Sequence, residues 1–226
     1  MATHGSVALA WKKEDAPTPL SGEVFGALIN LSGRRRFTSQ RLVLYAVLAG
    51  QGQADAVSVA REALALFRAA HATLVKGSDT LPGVFCPELE EAYFGRAGGD
   101  RQINAFADLA ERTLQAAERN AADAAPLLAQ LVEMTTPILA VLNQITAIYE
   151  EQSKRHAVLM KKQLRSMITD IETIARQARM VSFNARVVAA RAGFAGREFA
   201  VVAGVMSGIT GEIDDMVKAA LSATSA

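Results

Sequence analysis

The last third of the chain carries apolar residues in alternating steps of four and three, interrupted once by a short glycine-containing segment. The series before it is Met160, Leu164, Met167, Ile171, Ile174, Ala178, Val181, Ala185, Val188 and Ala192, and the series after it is Phe199, Val202, Met206, Ile209, Ile213, Met216 and Ala220. A repeat of about 3.5 residues places such side chains along one seam of a supercoiled helix. The pattern predicts two helical arms that pack through this seam as an antiparallel coiled-coil hairpin.

The segment between the arms, Gly193-Phe194-Ala195-Gly196, is suited to a reversal of the chain. Gly193 can adopt the left-handed conformation that ends many helices. Gly196 permits a tight return, and the alanines on either side let two backbones approach closely. We therefore predict that Gly193 and Gly196 form the hairpin turn.

Composition narrows the class of protein. The 226 residues, half of them hydrophobic, are enough for one large or two small domains. A net charge of +1 argues against a nucleic-acid-binding or membrane-binding surface that covers the whole protein. The single cysteine, Cys86, excludes an internal disulfide and favours a reducing compartment. We find no signal peptide and no uncharged apolar run of about 18–20 residues, so we predict a cytoplasmic protein without a membrane span.

No strand pattern competes with the helical periodicity, so the predicted fold is all-α, a helical bundle that continues into the hairpin. We expect a flexible lead at 1–20, a sensor-type helical bundle at 21–150 and the hairpin at 151–226. The predicted bundle helices are residues 21–50, capped by Ser21, then 54–76, 87–94 and 101–120, followed by a long helix with Pro126 in its first turn. Pro137 should kink or break that long helix.

The hairpin turn and its flanks also carry a literal motif. The run Asn184-Ala185-Arg186-Val187-Val188-Ala189-Ala190-Arg191-Ala192-Gly193, followed by Gly196-Arg197-Glu198-Phe199-Ala200-Val201-Val202-Ala203, resembles the cytoplasmic hairpin tip of methyl-accepting chemotaxis proteins. The resemblance implies signalling by contact rather than catalysis, with a chemotaxis coupling protein and a histidine kinase as partners. It also implies a homodimer without a cofactor. The residues it assigns to partner contact are Met180, Asn184, Val188, Arg191 and Val201.

The motif departs from the family pattern at several contact positions. Arg176 stands where the family has Phe, and Val188 stands where it has Glu. Phe194 and Val205 each replace a further acid after the turn. We therefore expect the hairpin to be retained while the surface that meets its partner is altered.

A second motif lies on the first predicted helix. The run Asn30-Leu31-Ser32-Gly33-Arg34-Arg35-Arg36-Phe37-Thr38-Ser39-Gln40-Arg41-Leu42 resembles the N-terminal domain of type IV pilus chemotaxis transducers, and a related motif occurs in nitrate sensor kinases. The resemblance implies that Arg36 faces its symmetry mate across a dimer and binds a small anion, with Asn30 and Gly33 beside it. The alternative is that these arginines cover a solvated face or pair with acids of a neighbouring helix.

Catalytic and metal-binding patterns are missing from the sequence. His4, His71 and His156 stand isolated, without metal-ligand spacing, and we find no nucleophile elbow, phosphate loop or dinucleotide fingerprint. We therefore predict no enzyme activity and no cofactor. Two alternatives to a signal transducer stay open: a binding module that sequesters coupling protein or docks on other receptors, and a structural helical bundle of a pilus or secretion apparatus.

Overall fold

The computed structural model describes residues 20–225, with side chains through residue 222, and over that range it is all-α, as predicted. The helices are α1 Gly22–Gly50, α2 Ala56–Lys76, α3 Pro87–Phe94, α4 Gly99–Glu118, α5 Ala124–Glu133, α6 Thr135–Arg191 and α7 Arg197–Ser225. A 3₁₀ turn, Gly193–Gly196, separates α6 from α7. The predicted flexible lead lies outside the described residues apart from Leu20.

The chain divides into two compact units at the bond between Ser153 and Lys154. The first contains α1 to α5 and the first residues of α6, and we call it the bundle. The second contains the remainder of α6, the turn and α7, and we call it the hairpin.

Local sequence signals set several helix ends. The Ser21 Oγ accepts the backbone N–H of Val24 at 3.2 Å, which makes Ser21 the predicted N-cap of α1. The short helix α3 begins at Pro87, whose missing N–H costs nothing in a first turn, and Glu88 and Glu90 add favourable charge at the same end. Its bounds coincide with the predicted 87–94.

Pro137 accounts for the break in the predicted long helix. Helix α5 ends at Glu133, the residue whose carbonyl a helical Pro137 cannot satisfy, and α6 starts two residues later at Thr135. The long helix is therefore two helices joined at Met134.

The bundle has one continuous apolar core to which every one of its helices contributes. Its largest fully buried apolar side chains are Phe25, Leu28, Leu42, Phe67, Leu74, Leu89, Tyr93, Ile103, Phe106, Leu114 and Tyr149. Phe67 of α2 and Phe106 of α4 meet edge to face, with ring centroids 5.6 Å apart. Each such burial stabilises the fold by about 1.5–3 kcal/mol before the entropy of ordering is subtracted.

The hairpin arms pack through different residues from those predicted. The predicted seam is exposed or half-buried in this chain, with Ile174 64% and Met216 62% exposed. The buried positions instead recur every seven residues: Ile168, Ala175, Ser182, Ala189, Gly196, Ala203, Thr210 and Val217. The prediction that the large apolar residues join the two arms is therefore wrong.

Side-chain size explains this arrangement. The repeat is made mainly of Ala, Ser, Thr and Gly, so the arms come close enough for the Ser182 hydroxyl to donate to the Ala203 carbonyl at 3.0 Å. The larger seam residues would hold the two backbones further apart. They form instead an apolar stripe on the outside of the hairpin, which we call the outer seam.

One stretch of helix has enough length and apolar character to cross a membrane. Residues Ala124–Arg191, taken across the break at Met134, contain an 18-residue window of mean hydropathy 1.5, of which 17% is buried within the described protein. The prediction above concerned an uncharged run of that length, which is a stricter criterion than mean hydropathy and is not met here. Core helices of soluble proteins meet the hydropathy criterion too, so the window does not distinguish a membrane-spanning helix from a helix of a soluble protein.

Candidate functional site

The most unusual feature of the bundle is Arg35, a cation with no exposed surface. It lies on α1 with the core residues Leu28 and Leu42 and projects into the bundle. Its Nη2 donates to Ser32 Oγ at 3.1 Å, and its guanidinium lies 5.7 Å from the centroid of the Tyr93 ring. Buried arginines are rare and are usually paired with a carboxylate. The question is therefore which groups stabilise the buried charge of Arg35.

His71 of α2 links Arg35 to a carboxylate. Arg35 Nη1 lies 3.1 Å from His71 Nδ1, and His71 Nε2 lies 2.9 Å from Asp100 Oδ1 on α4. Because a guanidinium only donates, Nδ1 must accept, and the ring proton must therefore sit on Nε2 and point to Asp100. The imidazole is neutral in this arrangement and connects the buried cation to the carboxylate.

The surroundings oppose a charge on His71. Burial lowers its pKa below the usual 6.5, and the positive Arg35 lowers that pKa further, while the hydrogen bond to Asp100 opposes both effects. Among the described residues, the Nε atom of Arg35 has no hydrogen-bond partner, so the guanidinium is incompletely satisfied. The Arg35, His71 and Asp100 side chains, which we call the buried relay, hold α1, α2 and α4 together.

Two further hydrogen bonds extend the relay to α6. Ser32 Oγ lies 2.8 Å from Thr146 Oγ1, and the hydroxyls of Tyr93 and Tyr149 lie 3.5 Å apart. Burial raises the pKa of Tyr149, and the neighbouring Tyr93 adds to that effect. Polar groups from α1, α2, α3, α4 and α6 therefore meet in one buried network.

The residues predicted to bind an anion lie on a more exposed face of α1. Asn30 is exposed, and Arg36 is half-buried and donates from Nη1 to Asn143 Oδ1 at 3.1 Å. A Cβ on Gly33 would meet Arg36 Nη2 at an ordinary 3.6 Å, so close packing does not require glycine there. In a single chain, Arg36 therefore bonds to an amide and not to an acid.

The predicted partner-contact residues all lie on the exposed surface of the hairpin. Met180, Asn184, Val188, Arg191 and Val201 are exposed. Met180 and Asn184 line a shallow groove of 420 Å³ together with Phe183. These side chains are free to meet another protein.

The turn between the arms requires both glycines, for different reasons. Gly193 has a φ of 59°, the left-handed conformation that side chains disfavour. A Cβ on Gly196 would overlap the Ala189 carbonyl oxygen, so only glycine fits between the arms at that position.

The buried relay was not among the predicted sites, although the sequence of α1 carries a signal for it. The buried face of α1 follows Leu28, Ser32, Arg35, Ser39 and Leu42, in steps of four and three. That period places Arg35, and not Arg36, on the core face. Treating His71 as isolated was wrong, because it lies four residues after the core residue Phe67 and reaches both Arg35 and Asp100.

The described residues contain no cluster of three or more His, Cys, Asp or Glu side chains arranged to hold a metal ion. Cys86 is a free, half-buried thiol whose pKa is raised mainly by burial. Comparison of the chain with family models, curated proteins and solved structures finds no match. The resemblances given above therefore depend on the residues of the two motifs.

Proposed function

We propose that the protein is a soluble, cytoplasmic chemoreceptor-like signal transducer. Its bundle senses a signal, and its hairpin tip contacts a chemotaxis coupling protein and a histidine kinase. The observation that carries the proposal is the turn: the motif that resembles the receptor tip coincides with a hairpin reversal at Gly193 and Gly196. Around that reversal, Asn184 and Arg191 are exposed for contact.

The outer seam supports a homodimer as the working form. Large apolar side chains follow one side of both arms over most of their length, among them Ile174, Val181 and Val202, each more than half exposed. Such a long apolar stripe is unfavourable in water. A second hairpin with the same 3.5-residue repeat would cover it by knobs-into-holes packing, giving four helices around one core.

The proposed input is a small anion bound by the bundle through Arg36, with Asn30 and Gly33 beside it. A guanidinium from each of two chains would offer planar, paired donors to nitrate or a carboxylate. Calorimetric titration of the protein with nitrate tests this. We expect binding that Arg36→Ala abolishes, and heat without dependence on Arg36 would contradict it.

The proposed output passes through α6, which contributes residues to both units. Thr146 of this helix bonds to Ser32 in the buried network, and later residues of the same helix form the first arm of the hairpin. A small slide or rotation between bundle helices would then bias the packing of the arms. The mechanism needs two packings of similar free energy that the signal distinguishes.

Pull-down with the coupling protein and histidine kinase of the same organism tests the partner contact. We expect wild type to retain both, and Asn184→Asp and Arg191→Glu to lose them, because each change alters an exposed tip side chain without touching the core. Lys161→Glu, an exposed charge reversal elsewhere on α6, is the matched control. Failure of the wild-type protein to bind would contradict the proposal and favour a structural bundle of a pilus or secretion apparatus.

The replacement of family acids by apolar residues at the tip favours one alternative to kinase control. With Val188 and Phe194 in place of acids, the hairpin would bind coupling protein or other receptors without controlling the kinase. Binding together with an unchanged rate of kinase autophosphorylation would identify such a sequestering module.

A further inference from the structure

A groove beside the hairpin turn is lined by apolar side chains and by two arginines. It encloses 510 Å³ and is lined by residues of both arms, including Phe183, Val187 and Ala200, with Arg186 and Arg197 among them. Phe183 is 65% exposed although it lies against this groove. We call it the turn groove.

The charge around the turn groove is predominantly positive. Residues 176–200 contain five arginines and one carboxylate, Glu198. Arg176 pairs with Glu172 and Arg179 with Asp214. In the described part of the chain Arg186 and Arg197 form no ion pair, and the guanidinium of Arg197 lies 5.1 Å from the centroid of the Phe194 ring.

A second copy of the chain on the outer seam would leave the turn groove open. Each successive residue of an α-helix is rotated by about 100° around the helix axis. The buried repeat that includes Ser182 forms a line of small residues facing the other arm. On α6 the outer-seam residues Val181 and Val188 lie on one side of that line. Phe183 and Arg186 lie on the other side of that line. The outer seam and the turn groove therefore occupy opposite flanks of the hairpin.

We infer that the turn groove binds an acidic, apolar segment of a partner protein. The inference rests on the proposed function, because it gives the chemistry of the surface that the tip contacts. Guanidinium groups form planar, bidentate hydrogen bonds with carboxylates. Arginine and aromatic side chains are also typical of the residues that contribute most of the binding energy in an interface. The apolar walls accept the side chains that flank the partner's carboxylates.

The first experiment measures binding of the coupling protein to the full chain by fluorescence anisotropy, at about 0.05 M and about 0.5 M salt. We expect affinity to fall about tenfold or more at high salt, and Arg186→Glu/Arg197→Glu to weaken low-salt binding by a similar factor. The control, Lys161→Glu/Lys162→Glu, makes the same charge change on exposed residues of α6 away from the groove. Binding that neither salt nor the arginine variant weakens would overturn the inference while leaving the proposed function intact.

If the coupling protein does not bind wild type, the proposed function fails and a second measurement decides the inference. The full chain with ¹⁵N-labelled arginine is titrated with the peptide Glu-Leu-Phe-Asp-Leu and with its neutral counterpart Gln-Leu-Phe-Asn-Leu. We expect the Nε–H signals of Arg186 and Arg197 to shift with the acidic peptide alone. Equal shifts with both peptides, or none, would overturn the inference. Tighter binding to phosphatidylglycerol vesicles than to the acidic peptide would identify a lipid surface instead and overturn it as well.

Discussion

Arg35 Nη1 lies 3.1 Å from His71 Nδ1, so a guanidinium without exposed surface donates to a neutral imidazole and not to a carboxylate. The carboxylate of Asp100 stands on the far side of the ring. The imidazole therefore bridges the buried cation and the carboxylate through its two ring nitrogens. Removal or protonation of this one ring would leave a buried charge without its main partner.

Loss of the His71 ring should destabilise the bundle strongly. His71→Ala removes the acceptor of Arg35 Nη1 and leaves Ser32 as the remaining hydrogen-bond partner of the buried cation, so we expect the free energy of unfolding to fall by about 3–5 kcal/mol. His71→Gln should cost less than half as much, because its carbonyl can accept from Arg35 while its amide donates to Asp100. The near-ultraviolet circular dichroism of Tyr45, Tyr93 and Tyr149, all in the bundle, reports this unfolding in urea.

Arg36→Ala is the matched control for these variants. The Arg36 guanidinium is half-buried and makes one hydrogen bond, so its loss should cost no more than about 1 kcal/mol. Equal losses for His71→Ala and Arg36→Ala would contradict the account of the buried relay.

The stability of the bundle should decrease as the pH falls below 6.5. The unfolded His71 binds a proton near its usual pKa of 6.5, whereas burial and Arg35 lower the pKa of the folded side chain. The unfolded state therefore holds more protons in the window from 6.5 down to the folded pKa. We expect this group to lower the free energy of unfolding by up to about 1.4 kcal/mol per pH unit within that window.

His71→Gln should remove this part of the pH dependence, because glutamine does not titrate. Urea titrations at several pH values between about 7.5 and 5 measure the slope for both proteins. The same slope in wild type and variant would exclude His71 as its source.

The glycines of the hairpin should differ in their tolerance of alanine. Gly196→Ala places a methyl group against the Ala189 carbonyl oxygen and should open the hairpin near its turn. Gly193→Ala meets no atom within 4 Å and should cost about 1–2 kcal/mol for its left-handed backbone alone. Gly204→Ala, also without a neighbour, should stabilise α7 by about 1 kcal/mol.

Amide hydrogen exchange of the two arms distinguishes these variants. We expect protection near the turn to fall most in Gly196→Ala, to fall less in Gly193→Ala and to rise in Gly204→Ala. Equal protection in Gly196→Ala and wild type would show that the arms do not need to approach closely there.

The outer seam should control assembly. Val181→Glu places a charge within the proposed dimer interface but on a side chain that is 57% exposed in one chain. We expect the dissociation constant of the dimer to rise at least about tenfold, since burial of an unpaired charge is costly. Sedimentation equilibrium measures it, with Lys161→Glu outside the seam as the control, and a monomeric wild-type protein would contradict the dimer.

The sequence was sufficient for the helices but not for the faces they bury. Ser21, Pro87 and Pro137 act locally, through a cap, a first turn and a missing N–H, and the helix ends near them follow from those properties. Two seven-residue patterns run along each arm of the hairpin, and which of them faces the other arm depends on tertiary packing. The larger side chains of the outer seam are the more prominent pattern in the sequence, but the small residues are the ones that pack between the arms.

A similar limit applied to the candidate site. The resemblance to the pilus-type motif directed attention to Arg36, whereas packing buries its neighbour Arg35. The helical period of α1 distinguishes the two, but the link through His71 to Asp100 joins residues 36 and 29 positions apart on three helices. Such a contact depends on how the helices pack and has no local signal.

The proposed function requires the hairpin tip to act on a kinase. Its most direct test is the rate of autophosphorylation of the histidine kinase of the same organism, with its coupling protein present, as this protein is added. We predict that added wild-type protein changes the rate of autophosphorylation. Arg191→Glu, added in its place, should leave the rate at its starting value. A rate that stays constant at saturating wild-type protein would contradict an action of the hairpin tip on the kinase.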